Sequence, residues 1–221
     1  MQLSVVIPVF HDTAALARTL AACDLAGADV IVAATAEDRE SLSALRATCA
    51  GLRWIESDRG RARQMNAGAA VATGDWLIFL HADTSLPPDW RHVVAAAAAD
   101  PSVSIGCFRF ELDSRSFFAR VIEVGVRLRV ALFKLPYGDQ ALFLRRTTFV
   151  ALGGYAEIPI MEDVDLLRRC LRRGRLFGAS SPVRTSARKW ERDGWITRTA
   201  THLRLIVLYF LGVTPDRLAA S

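Results

Sequence analysis

The sequence predicts an α/β domain built on an open sheet, and three observations carry that prediction. Strand-like and helix-like patterns alternate as β-α-β-α-β over residues 3–56, the order of a nucleotide-binding half. The apolar run from Trp76 to Leu80, bounded by Gly74 and by polar residues, reads as a strand buried on both faces. A length of 221 residues with 52% hydrophobic content supports one good core, so one domain with decorations is expected.

Taken in order, Leu3 to Val9 is apolar and β-branched and forms the first strand, with Pro8 near its end where a ladder donor is not needed. Asp12-Thr13 is expected to cap the helix written by Ala14, Leu16, Ala17, Leu20 and Ala21, and Gly27 to close it. Asp29 to Ala34 is a second strand, Glu37 to Ala50 a second amphipathic helix and Leu52 to Glu56 a third strand. A loop and helix extend from Asp58 to Gly74, with small residues along one face. Arg59, Arg61 and Arg63 stand at its start, where backbone donors and the helix dipole favour a phosphate. A solvated charge run packed by its alanines accounts for the same residues.

Beyond Asp83, Pro88 to Asp100 reads as a helix and Ser104 to Leu112 as a strand, with Asp113-Ser114 capping the next helix. Ser116 to Lys134 is basic and amphipathic; a helix covering a sheet edge is preferred to one lying in a membrane interface. Leu135 to Gln140 is a turn with Asp139 and Gln140 at its tip, and Ala141 to Arg145 a strand. Val164, Leu167 and Leu171 turn one helix face inward before Gly174, with Glu162 and Asp163 at the amino end, where a carboxylate is stabilised. A last helix runs from Thr199 to Leu211. Before it, Trp190 and its flanking cations either close over a sugar-phosphate or pack a corner.

Composition narrows the partners. The net charge of +5 and isoelectric point near 9.4 favour an anionic ligand. Nucleic acid ranks last and none is expected, because the aromatic residues are not interleaved with the basic ones. Cys23, Cys49, Cys107 and Cys170 form no CxxC pair and lack His at ligand spacing, so neither zinc nor a disulfide framework is indicated and a reducing cytoplasm fits. Met1 to Phe10 has no basic n-region and reads as a strand, not a signal peptide. No stretch reaches the length of a membrane span.

Two carboxylate clusters stand out. Asp83 falls at the carboxyl end of a buried strand, where open α/β sheets bind ligands. With His81 two residues before it, it suits a hard divalent cation partly satisfied by a diphosphate. An Asp-Thr turn feeding the Pro-rich start of the next helix explains it equally. Asp163, if it faces the same cleft, is placed to take a proton from an attacking hydroxyl; acidic residues in a first helical turn are also ordinary dipole partners.

The ordered set Val5-Val6-Ile7-Pro8, Asp58-x-Gly60, Asn66-x-Gly68, Gly74-Asp75, Phe79-Leu80-His81-Ala82-Asp83 and Gly153-Gly154-Tyr155 before Glu162-Asp163-Val164-Asp165-Leu166 resembles the family 2 glycosyltransferases of the GT-A fold. Within them it looks like the bacterial radical-SAM/selenodomain-associated transferase 2 subgroup, on the runs at Leu80, Pro136 and Ile158. The resemblance implies a Rossmann-like three-layer sandwich with a mostly parallel mixed sheet. It implies a single domain over residues 1–221, with 175–221 as a C-terminal helical extension packed on it. It implies an inverting transfer from a nucleotide-diphosphate sugar, with Asp83 holding Mg²⁺ or Mn²⁺ and Asp163 as base beside Glu162.

On that reading Pro8, Asp58, Arg63, Asn66, His81, Asp83, Arg188 and Trp190 bind the donor, and Asp139, Gln140, Gly153 and Gly154 lie on the acceptor side. Two departures matter. His81 stands where the family has the first Asp of Asp-x-Asp, and the turn after the second strand reads Ala33-Ala34-Thr35-Ala36-Glu37-Asp38 without the usual nucleobase-contacting Asp. Glu37 or Asp38 substitutes, or the donor is held chiefly by its phosphates. The two basic apolar stretches point to a lipid-linked or hydrophobic acceptor of polyprenol or carotenoid type at the inner membrane face, alongside a soluble small molecule. The alternative is a nucleotide-sugar-binding or membrane-surface partner protein that keeps the fold without the chemistry.

Overall fold

A computed structural model describes residues 1–220. Its first half repeats strand and helix: β1 (Leu3–Val9), α1 (Thr13–Ala22), β2 (Asp29–Ala34), α2 (Ser43–Thr48), β3 (Arg53–Glu56), α3 (Arg61–Val71) and β4 (Trp76–Phe79). The second half is more varied: β5 (Thr84–Ser85), α4 (Trp90–Ala98), β6 (Val103–Asp113), α5 (Phe117–Phe133), β7 (Phe143–Arg145), α6 (Arg146–Ala151), α7 (Glu162–Leu171), β8 (Arg175–Ser186), α8 (Arg188–Asp193), α9 (Trp195–Phe210) and α10 (Pro215–Ala219).

The strands form one mixed sheet in the order β3-β2-β1-β4-β7-β6-β8-β5. The β3-β2-β1-β4 portion is parallel throughout, which the helical crossovers between its strands permit. β7 is antiparallel to both β4 and β6, β8 is parallel to β6, and the short β5 is antiparallel to β8.

Alternation along the strands builds two cores. Val5, Ile7, Val32 and Ile78 point to the side of Leu16 and Trp90, while Val6, Ile31, Leu77 and Phe79 point to the side of Met65, Phe149 and Leu167. Helices therefore cover both faces, giving the expected three layers. On the second side α3 lies unusually close: a Cβ on Gly68 would fall 2.3 Å from Val6 Cγ1, so only glycine permits that approach.

Several local expectations are corrected. α1 ends at Ala22, and Gly27 sits in a later left-handed turn and does not close it. Asp12 precedes α1 but its side chain caps nothing. The stretch from Glu37 to Ala50 is not one helix: a 3₁₀ turn at Ala36–Asp38 precedes the short α2. There the buried Asp38 carboxylate accepts the His11 N–H and the Thr35 hydroxyl, both at 2.8 Å, and pins that turn. Ser116, not Asp113-Ser114, caps α5, accepting the Phe118 N–H at 3.2 Å. Residues 175–186, expected to begin a helical extension, form the twelve-residue β8 inside the sheet.

Candidate active site

A cleft of about 650 Å³ opens at the carboxyl ends of β1 and β4. Pro8, at the end of β1, and His81 and Asp83, just beyond β4, line one side; Glu162 and Asp163, at the start of α7, line the other. Gly138 and Asp139, in the 3₁₀ turn Gly138–Gln140, lie between them.

At the first pole the Asp83 side chain is 7% exposed and meets two cations, Lys189 Nζ at 3.2 Å and an Arg188 guanidinium nitrogen at 3.6 Å. Burial pushes the Asp83 carboxyl up, but the Lys189 and Arg188 charges outweigh it and hold it below the usual range. His81 is driven the other way. Burial, and then the Arg61 and Lys189 charges, lower its pKa to about 3, so the imidazole is neutral. Arg188 also makes a bidentate pair with Asp12, one arm at 2.7 Å, tying α8 to the loop after β1.

At the second pole Asp163 Oδ2 accepts the Gly138 N–H at 2.7 Å, and its other oxygen accepts the Val164 N–H at 2.8 Å. Glu162 points inward, 3% exposed, and pairs with Arg61 at 3.2 Å. Burial raises the Glu162 pKa against the pull of Arg61. Gly138 keeps the poles close. A Cβ there would stand 2.9 Å from His81 Nε2 and 3.4 Å from Asp163 Oδ2.

Two further groups line the cleft. Asp139 has a buried Oδ1 with no partner, and burial raises its pKa to about 6 against the charge of Arg129. Trp190 is packed against Phe110 and His202, with Arg198 over its ring and its indole nitrogen unpartnered.

Other expected site residues have structural occupations in this fold. Asn66 lies outside the cleft lining and clasps the Tyr155 backbone, donating to its carbonyl at 2.9 Å and accepting its N–H at 2.8 Å. Gly153 and Gly154, at φ +77° and +73°, turn the chain after α6 to make that clasp and do not line the cleft. Gln140 is 2% exposed, and its amide is spent on the Phe108 carbonyl, the Tyr137 N–H and Arg129. Arg63 pairs with the exposed Glu157, so Arg61, two residues earlier, is the cleft arginine of α3. Asp58 is exposed outside the lining. Asp38 cannot replace the missing nucleobase contact, because it is fully buried and already hydrogen-bonded.

Sequence reasoning did not single out Lys189 or Arg61 for the cleft. Both lay inside cation runs flagged as whole segments, and what distinguishes them is a carboxylate about a hundred residues away.

A divalent cation finds a partial donor set in the cleft. Among the described residues no group of three His, Cys, Asp or Glu side chains is placed to hold one. A single carboxylate, Asp83, does fit an ion that takes its remaining ligands from a substrate diphosphate and water, the usual habit of Mg²⁺.

Among the described residues no helix is long and apolar enough to cross a membrane. A family model described as Glycosyl transferase family 2 matches residues 4–156. No curated protein matches. Solved structures that match include S. aureus TarS 1–349, with a TM-score of 0.60 at 12% identity, covering 85% of this chain and 61% of that one. The same protein in complex with UDP-GlcNAc gives a TM-score of 0.62 at 14% identity, covering 84% and 58%. The chain thus spans about three-fifths of the solved chains it matches, and at this identity the likeness shows the shared fold.

Proposed function

From the premise that this chain belongs to glycosyl transferase family 2, we propose that it transfers a sugar from a nucleotide-diphosphate donor to an acceptor with inversion, using Asp163 as base. The observation that carries this reading is the Asp163 carboxylate, fixed by the Gly138 N–H in the cleft that Asp83 also lines.

The acceptor hydroxyl or carboxyl oxygen attacks the anomeric carbon from the face opposite the diphosphate. The bond from that carbon to the leaving oxygen breaks, and its electron pair departs with the nucleoside diphosphate. A hydroxyl proton passes to Asp163. Lys189 and Arg61 are the cations this chain itself brings to the leaving charge, stabilising it in a partly dry site. Neutral His81 offers a hydrogen bond in place of the family's first Asp. Asp83 would hold Mg²⁺ or Mn²⁺ on the diphosphate, where such an ion neutralises negative charge.

TarS has been crystallised with UDP-GlcNAc, which makes uridine diphosphate sugars the first donors to try. The acceptor is read as a lipid-linked or hydrophobic molecule of polyprenol or carotenoid type at the inner face of the membrane. The test is thermal stability against nucleotide sugars with and without Mn²⁺, and then turnover. A donor that raises the midpoint identifies the base by mass action. Asp163→Asn is expected to keep that shift and lose transfer; transfer equal to wild type would remove the base assignment. Donor binding with no transfer to any acceptor would favour the binding-protein reading.

A further inference from the structure

We infer that the paired outer faces of α5 and α9 form a docking surface for an anionic lipid bilayer, beside the mouth of the cleft. α5 is held to the body along one face. Ala119 and Glu123 are its buried residues, and Glu123 is spent on the Leu112 N–H at 2.8 Å and on Arg120. Ile122, Val126 and Val130 pack inward beside them, while Phe117, Val121, Val124, Leu128 and Leu132 on the opposite side recur at helical spacing and are between 44% and 76% exposed. That is one continuous apolar stripe on the side of the helix away from its packing seam.

α9 continues it. Phe118 of α5 stacks on Trp195 of α9 with ring centroids 6.5 Å apart, and Leu203, Val207 and Phe210 are exposed on α9. The inner side of the same helix supplies Arg198, His202 and Leu205 to the cleft lining. One helix therefore has the cleft on one side and the exposed apolar stripe on the other.

Charge decides the occupant. The only acidic residue in the two helices is the buried Glu123, while Arg127 and Arg204 are exposed and have no ion-pair partner among the described residues. An apolar stripe edged by free cations matches an interface with anionic headgroups above and acyl chains below. A second copy of the chain would bring the same cations against each other, in a protein of net charge +5. Docking does not depend on the chemistry proposed for the cleft, although it would present that cleft to a membrane-borne acceptor.

The experiment is co-sedimentation of the full chain with phosphatidylcholine vesicles, with and without phosphatidylglycerol. It compares wild type with Leu128→Glu/Leu203→Glu and with Arg127→Glu/Arg204→Glu. Wild type is expected to partition roughly tenfold more strongly onto the anionic vesicles, with the difference shrinking in high salt. Each double variant should lose at least roughly tenfold of that binding while its melting midpoint and donor-dependent shift stay at wild-type values. Equal partitioning onto neutral and anionic vesicles, or variants that sediment as wild type does, would overturn the proposal. So would a dimer in gel filtration that the same substitutions dissolve, which would make a second copy the occupant. Loss of donor binding with vesicle binding intact would count against the cleft chemistry alone.

Discussion

The two carboxylate poles of the cleft are held by opposite means. Asp83 is surrounded by charge, with Lys189 and Arg188 both reaching it, whereas both Asp163 oxygens accept backbone N–H groups. Cations lower a carboxylate's affinity for a proton and prepare the place for another anion. Backbone donors fix direction in space while bringing no full positive charge. The contrast teaches that similar side chains at the ends of buried elements can be set in different surroundings, and the proposed division gives one pole to binding and the other to proton transfer. It also suggests why their neighbours differ: Arg61 is engaged by Glu162, which sits beside Asp163 in sequence.

That division can be broken most sharply at Asp163. The amide in Asp163→Asn still accepts the Gly138 N–H but takes no proton, so turnover should fall by on the order of 10²–10⁴ while donor binding holds. Single-turnover kinetics beside a donor titration separates the two. Asp83→Asn should do the reverse, weakening donor affinity by on the order of 10–100-fold, the scale of a lost charged contact. If instead it lowered turnover alone, the two poles would not be specialised as described.

A third substitution tests the arginine. Arg61→Met strands the buried Glu162 charge and should cost on the order of 1–3 kcal/mol in denaturant unfolding. Adding Glu162→Gln should return most of it, and a simple sum of losses would show the pair uncoupled.

The smallest effect belongs to Asp139, between the poles. Its folded pKa of about 6 lies above the ordinary 3.8, so the folded state holds this proton more tightly than the unfolded one. The associated stability is complete below pH 3.8 and is lost as pH rises through about 6. Discounted for partial exposure, it is on the order of 1 kcal/mol. Asp139→Asn should melt above wild type at pH 8, with the gap closing toward pH 4; a gap independent of pH would assign the change to packing.

Sequence read the buried strands well and the polar ones poorly, for a physical reason. β1, β2 and β4 are covered on both faces and must be continuous apolar runs. β8 is part-exposed along most of its length, carries Gly178 and Pro182, and shifts register against β6 near them. Nothing in Arg175 to Ser186 alternates strongly enough to declare it. The carboxylates were legible because they terminate strong elements. Their cation partners were not, since Arg61 meets a residue 101 positions away and Lys189 one similarly remote. The same distance explains Asn66 and Gly154. Each looked like a ligand group alone, and only the fold shows that a Cβ on Gly154 would strike Asn66 Oδ1 at 2.7 Å.

The clasp between Asn66 and Tyr155 has a bearing on the order in which the protein assembles. It joins residues 89 apart, and closing a free loop of that length costs roughly 4 kcal/mol of chain entropy. Two hydrogen bonds worth about 1 kcal/mol each do not offset that. The clasp is therefore expected to form after other long-range contacts, such as the pairing of β4 with β7, have shortened the path between its ends. A contact made that late is largely absent from the folding transition state and acts mainly on the escape rate from the native state. Asn66→Ala should accordingly speed unfolding and leave the folding rate almost unchanged, making the clasp a brake on unfolding.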